Sequence, residues 1–206
     1  DKYGENWWQQ STAANNNKLK LEEVSYQLRQ KAKAINFGIL YGQGPHGLSQ
    51  NAGIPYQQAR EFISQYFLSY PQVKSFIDKT ISRASEQGYT STMFGRIRPI
   101  PEINSSEIMK KKAAERMAIN SPIQGSAADI IKMAMIKIYS EIKNKTDIKM
   151  LLQVHDELIF EVNNDKINYY YQKIKEIMEN IVKLKVPLLI EARSGKNWGE
   201  MENIKN

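Results

Sequence analysis

Apolar residues recur at steps of three or four near the start of the chain: Leu21, Val24, Leu28, Ala32, Ile35 and Ile39. That spacing lines one side of a helix over about 21–41. Gly42, Gly44, Pro45 and Gly47 follow and are expected to end it in a loop. A second helix is predicted from Tyr56 to Leu68, with Pro55 at its start and Tyr70-Pro71 after it. A third runs from about Gln72 to Glu86 and stops at Gly88. Tyr89–Pro101 has an extended or turn pattern, because Pro99 and Pro101 block a helix and Gly95 marks a tight place. Ser106–Ile142 is helical in pattern, with a kink or break expected near Ser121–Gly125. Pro122 lacks an N–H there and crowds the carbonyl of Ala118. Two apolar runs of β type follow, Met150–Val154 and Leu158–Val162, with His155-Asp156-Glu157 at the tip of a predicted hairpin. A helix over Lys166–Leu184 and a strand over Val186–Glu191 complete a ββαβ tail. The fold class expected is α+β.

A chain of 206 residues suffices for one large domain or two small ones. No run approaches the roughly 18–20 apolar residues that span a bilayer, so no membrane partner is expected. The first ten residues lack a basic end followed by an apolar run, so no secretory leader is expected there. Residues 1–18 are polar and of low complexity and are expected to be poorly ordered, with Trp7-Trp8 docking on the body or on an upstream segment. The absence of cysteine excludes disulfides, zinc–thiolate sites and cysteine nucleophiles. The net charge of +7 makes a polyanion a plausible partner.

Three groups of side chains carry candidate chemistry. Arg29, Lys33, Phe37 and Tyr41 are spaced by four, so the first three share a helix face and Tyr41 lies further round. Either a solvated basic stripe or a phosphate-binding face has this spacing. Arg116, Asn120 and Gln124 repeat the step of four near Pro122. These side chains can bond the acceptors of a minor groove, or they can cap a distorted helix. Asp156 and Glu157 beside His155 form a compact anionic tip in a basic protein. Such carboxylates suit Mg²⁺, and an exposed polar turn has the same composition.

Other patterns carry no chemistry. Gly42-Gln43-Gly44-Pro45-His46-Gly47 matches G-x-G-x-x-G literally, but it follows a helix and Pro45 removes an amide, so no dinucleotide site is expected. His46 is expected in the loop. Lys110-Lys111-Lys112 is expected to be a solvated helix face. No Gly-x-Ser-x-Gly elbow accompanies His155 and Asp156.

Together these stretches resemble the family A DNA polymerases, the DNA polymerase I type, over about Tyr26–Trp198. Arg29-Gln30-Lys31-Ala32-Lys33-Ala34-Ile35-Asn36-Phe37-Gly38-Ile39-Leu40-Tyr41-Gly42 is similar to motif B, on the fingers helix. Gln153-Val154-His155-Asp156-Glu157 is similar to motif C, at the palm hairpin. Ala114–Gly125 resembles the primer-template segment, and Val186-Pro187-Leu188 and Gly195-Lys196-Asn197-Trp198 also fit. Three motifs in order, suitably separated, are not a chance match.

The resemblance implies a helical fingers subdomain over 19–95 and part of a palm over 96–206. It implies that Arg29, Lys33, Phe37 and Tyr41 bind the incoming dNTP, with Lys33 also a proton donor to the leaving pyrophosphate. Phe37 would lie on the sugar and disfavour dideoxynucleotides. Arg116, Asn120, Gln124 and His155 would contact primer-template DNA. Asp156, and more weakly Glu157, would be catalytic carboxylates and ligands of Mg²⁺ in a two-ion site.

One departure is large. Motif A, with the second principal carboxylate, is absent, as is the thumb. The chain is therefore expected to be a C-terminal fragment, inactive alone, whose partners include upstream palm and thumb regions, and an exonuclease region where the parent chain carries one. A non-catalytic DNA-binding module that retains the fold is the alternative; a nuclease would need another acid cluster. The abundant Asn, Lys, Ile and Tyr point to an AT-rich genome, either a malaria-type parasite, with a plastid-like (apicoplast) location, or a bacterium.

Overall fold

The computed structural model describes residues 26–204. The expectations for residues 1–18, for Trp7-Trp8 and for helix over 21–25 lie outside the described residues. The described chain falls into two compact units, residues 26–91 with 95–122, and residues 92–94 with 123–204.

In the first unit, helix α1 spans Tyr26–Leu40. Ala32, Ile35 and Ile39 are buried, which is the face their spacing predicts. Ile35 and Ile39 pack with Leu48, Ala52 and Ala59 from helices α2 (Pro45–Ala52) and α3 (Tyr56–Ser69). Phe62, Ile63, Tyr66 and Phe67 of α3 close over that cluster. Full burial of one isoleucine such as Ile35 contributes about 1.5–3 kcal/mol relative to exposure.

The end of α1 explains its glycines. The Gly42 N–H donates to the Ile39 carbonyl at 3.0 Å, and the Gln43 N–H donates to the Gly38 carbonyl at 2.8 Å. This pair of bonds is a Schellman cap, and it places Gly42 at φ 79°. A Cβ on Gly42 would also lie 2.9 Å from Ile119 Cδ1. The run that follows is not all loop, contrary to expectation. Pro45 opens α2, where its missing N–H is no loss because first-turn donors have no intrahelical partner. His46 is therefore a helix residue, and its ring bonds Gln50 at 3.3 Å.

Helix α4 (Pro71–Gln87) runs one residue beyond each predicted end and stops at Gly88. Strands β1 (Tyr89–Ser91) and β2 (Ile97–Pro99) pair antiparallel, and Gly95 between them takes φ 84°. A 3₁₀ turn over Pro101–Asn104 leads to helix α5 (Ile108–Ile142). Ala114 and Ala118 of α5 bury against Ala84, Ile100 and Ile103. Of the kink or break expected near Ser121–Gly125, the break does not occur, and α5 continues through Pro122. The Ser121 hydroxyl donates to the Met117 carbonyl at 2.6 Å, a back-bond that distorts a helix without ending it.

In the second unit, Ile138 and Ile142 of α5 pack with Ile148 of strand β3 (Ile148–Val154) and Tyr170 of helix α6 (Ile167–Asn180). Strand β4 (Glu157–Val162) pairs antiparallel with β3, from Ile148↔Val162 to Val154↔Glu157. The register shifts between Met150 and Leu152, so β3 carries a bulge. Glu157 is thus a strand residue, and the loop is only His155-Asp156.

The tail departs from prediction in detail. Helix α6 ends at Asn180, not Leu184. Val186–Glu191 is not a strand. Pro187 has no N–H for a ladder, and the Ile190 N–H donates to Glu179 Oε1 at 3.0 Å instead. The strand after α6 is the shorter β5 (Arg193–Ser194), paired with β6 (Glu202–Asn203). The α+β class and the small antiparallel sheets stand. Among the described residues no helix is long and apolar enough to cross a membrane.

Candidate polymerase site

The first unit presents a cationic and aromatic face on α1. Lys33 and Phe37 are exposed, and Phe37 keeps 46% of its surface in solvent although it is a large apolar ring. Its neighbour Tyr41 is stacked on it, with centroids 5.9 Å apart and planes 9° from parallel. The two rings lie at the C-terminal end of the helix, while Ile35 and Ile39, two residues to either side of Phe37, are buried. Arg29 lies one turn before Lys33 on the same helix.

The cap at Gly42 brings a second motif to this helix end. A Cβ on Gly42 would lie 3.4 Å from Arg116 Cγ as well as against Ile119. Residues some 75 positions apart in sequence are therefore in contact range, and the exposed Arg116 starts beside Tyr41-Gly42. Asn120, one turn on, is half-buried, and its Oδ1 is shielded with no hydrogen-bond partner among the described residues. Gln124 is exposed on the same helix but belongs to the second unit.

The second unit holds the anionic tip. His155, Asp156 and Glu157 are all exposed. Asp156 makes no ion pair or side-chain hydrogen bond among the described residues, so its carboxylate is available for an external cation or donor. Its oxygens suit a hard ion such as Mg²⁺, which takes carboxylate, water and phosphate ligands. Among the described residues no group of three or more His, Cys, Asp or Glu comes together for a metal. The fit to Mg²⁺ is thus that of part of a ligand set. Lys110, Lys111 and Lys112 are exposed, and Lys110 pairs with Glu107 one turn back, as a solvated helix face does.

Residues 8–200 match the pattern of DNA polymerase family A. The chain belongs to that family. DNA polymerase I of Caldicellulosiruptor bescii is 45% identical over 190 residues, covering 92% of this chain and 22% of that protein. The thermostable DNA polymerase I of Thermus aquaticus is 43% identical over 177 residues, 86% of this chain and 21% of that one. This family A chain thus spans about a fifth of the length of these relatives. Its fold is similar to the POL domain of Pol1 from M. smegmatis, solved in complex with DNA primer-template and dNTP. That likeness has a TM-score of 0.79 and 41% identity, and covers 86% of this chain and 31% of the other.

Two features of the site were not foreseen from sequence. Gln43 fills the space between Gly38 and Gly47, where a Cβ would lie 2.1 Å from its Oε1 and 2.9 Å from its Cγ respectively. Four glycines in ten residues, Gly38, Gly42, Gly44 and Gly47, were the available signal. The other is the backbone of His155, at φ 54°. No residue type in the motif announces it.

Proposed function

We propose that this chain is part of a template-directed DNA polymerase, which adds dNTPs to a primer 3′-hydroxyl. The observation that carries the reading is the meeting of the α1 face with the Arg116 segment at Gly42, within a family A match. A polymerase needs the triphosphate face and the primer-template contact beside each other. The M. smegmatis relative, solved with primer-template and dNTP, supports the same assignment.

In this reading Arg29 and Lys33 bind the triphosphate of the incoming dNTP, and Lys33 offers a proton to the departing pyrophosphate. Phe37 lays its exposed ring on the deoxyribose. Tyr41, stacked behind it, borders the nascent base pair. Arg116, Asn120 and Gln124 bond minor-groove acceptors that recur in every base pair, so they sense pair geometry without reading sequence. His155 touches the primer terminus. Asp156, with Glu157 as a weaker neighbour, would hold Mg²⁺ as part of a ligand set that this chain does not complete. Bound Mg²⁺ supplies the positive charge that favours in-line displacement at the α-phosphate. The AT-rich source, parasite plastid or bacterium, rests on composition alone.

The test is primer extension by the full-length polymerase that contains this chain, wild type against Asp156→Ala. We expect extension to fall by at least ~10²-fold, the scale of losing a principal electrostatic catalyst, with primer-template affinity little changed. Extension that survives the substitution overturns the role of the hairpin. A wild type that binds primer-template and never extends it establishes a DNA-binding module instead.

A further inference from the structure

The loop that presents Asp156 has an unusual backbone. It is a two-residue hairpin connection, His155-Asp156, closed by the Val154↔Glu157 pair. His155 sits at φ 54°, and among the described residues it is the one non-glycine with positive φ. Positive φ at the first loop residue alone is the pattern of a type II′ turn, whose first position glycine normally occupies. A histidine there brings its Cβ toward the following carbonyl, so the conformation is strained and needs a reason.

Gln153 supplies a lock. Its side-chain amide donates to the carbonyl oxygen of His155, two residues on. That carbonyl belongs to the peptide joining His155 to Asp156. Rotation of this one peptide plane interconverts type II′ and type I′ turns, and type I′ would need positive φ at Asp156 as well. Aspartate tolerates that region, so the alternative turn is open to this sequence. Holding the His155 carbonyl selects one plane and with it the direction in which Asp156 leaves the backbone. The bulge between Met150 and Leu152 lies just before this lock and re-aims the same strand.

We propose that Gln153 is a positioning residue for Asp156, fixing the His155–Asp156 peptide so that the carboxylate is held in its working direction. The proposal rests on the polymerase reading of Asp156. Gln153 is exposed, so it can be replaced without opening a core.

The experiment uses the full-length polymerase and Gln153→Met, which keeps length and removes the donor. Gln153→Leu is the second variant, should the first fold poorly. Two readouts are taken. Steady-state extension is expected to lose about tenfold in kcat, with dNTP KM and primer-template Kd each within about twofold of wild type. Hydrogen exchange over residues 153–158, measured without metal or substrate, is expected to quicken. Asp156→Ala runs beside them. If it abolishes extension while both Gln153 variants keep wild-type kcat or wild-type exchange, the positioning role is wrong and the polymerase reading stands. If Asp156→Ala extends normally, the polymerase reading of this hairpin fails first. A Gln153 variant that loses primer-template affinity, with kcat unchanged, makes Gln153 a DNA contact and overturns the proposal.

Discussion

Tyr170 of α6 is 4% exposed, and its hydroxyl donates to Asp147 Oδ1 at 2.7 Å. That bond to a carboxylate, and then burial, push the phenol up to about 12. The neutral phenol is the form the fold favours. Its contribution to stability is therefore complete below pH ~10, the unfolded value, and is lost as pH rises through about 12. Tyr170→Phe should cost about 1.5–3 kcal/mol at neutral pH, the range for a hydrogen bond to a charged group. It should also flatten the fall in stability between pH 10 and 12. Urea unfolding of wild type and variant across that window measures both; parallel curves would show that the Tyr170–Asp147 bond does not govern the alkaline limb. None of this was legible in sequence, because Asp147 and Tyr170 are 23 residues apart and meet only when α6 folds back on β3. His155 is a sharper case. Its identity as part of a motif was plain, whereas its positive φ is set by the closure of the hairpin around it and by no preference of its own.

At the scale of elements, α1 and α2 are joined by a side chain as much as by a turn. Gln43 lies where side chains on Gly38 and Gly47 would be, so those two positions and Gln43 form one packing unit. Gly38→Ala would place its methyl 2.1 Å from Gln43 Oε1 and drive the amide out. Although alanine favours a helix by up to ~1 kcal/mol over glycine, displacing the flexible Gln43 amide should offset that gain and leave the variant destabilised by no more than about 1 kcal/mol, the low end for overpacking. Gln43→Ala should recover most of that loss in the double variant, since it vacates the contested space. Thermal unfolding of the two single variants and the double tests the coupling, and purely additive effects would refute it. The helices themselves were readable. Ala32, Ile35 and Ile39 announced the buried face of α1, and the Pro and Gly punctuation bounded α3 and α4 to within a residue. In each miss a local signal lost to its wider context. The apolar run Val186–Glu191 suits a strand by composition, but Glu179 takes the Ile190 N–H. The glycine run after α1 suits a loop, but Pro45 nucleates α2 where its lost donor costs nothing. Pro122 suits a kink or a break, and the break does not occur, because α5 runs on to bury Ala134, Ile138 and Ile142 at steps of four.

For the whole molecule, charge and chemistry make different demands. A net charge of +7 favours a phosphate backbone without requiring any one cation to be fixed in place. Catalysis draws on a few groups in fixed relation, and of the carboxylates that the reading requires, Asp156 and Glu157 are present while the resemblance places another upstream. The two properties should therefore separate in the isolated 206-residue chain. It should bind primer-template DNA, with log K falling linearly in log salt at a slope of about −0.9 for each duplex phosphate neutralised. It should not extend the primer in Mg²⁺ and all four dNTPs, falling below the full-length polymerase by at least ~10²-fold, the scale set by a missing electrostatic catalyst. Fluorescence anisotropy over a salt series and a primer-extension gel on the same preparation measure the two sides. Extension at a rate near that of the full-length enzyme would mean that the carboxylates of this chain suffice and that the divided metal site is wrong. Binding that ignores salt would mean that the positive charge is a solvated surface and that recognition lies in the aromatic and amide side chains of α1 and α5.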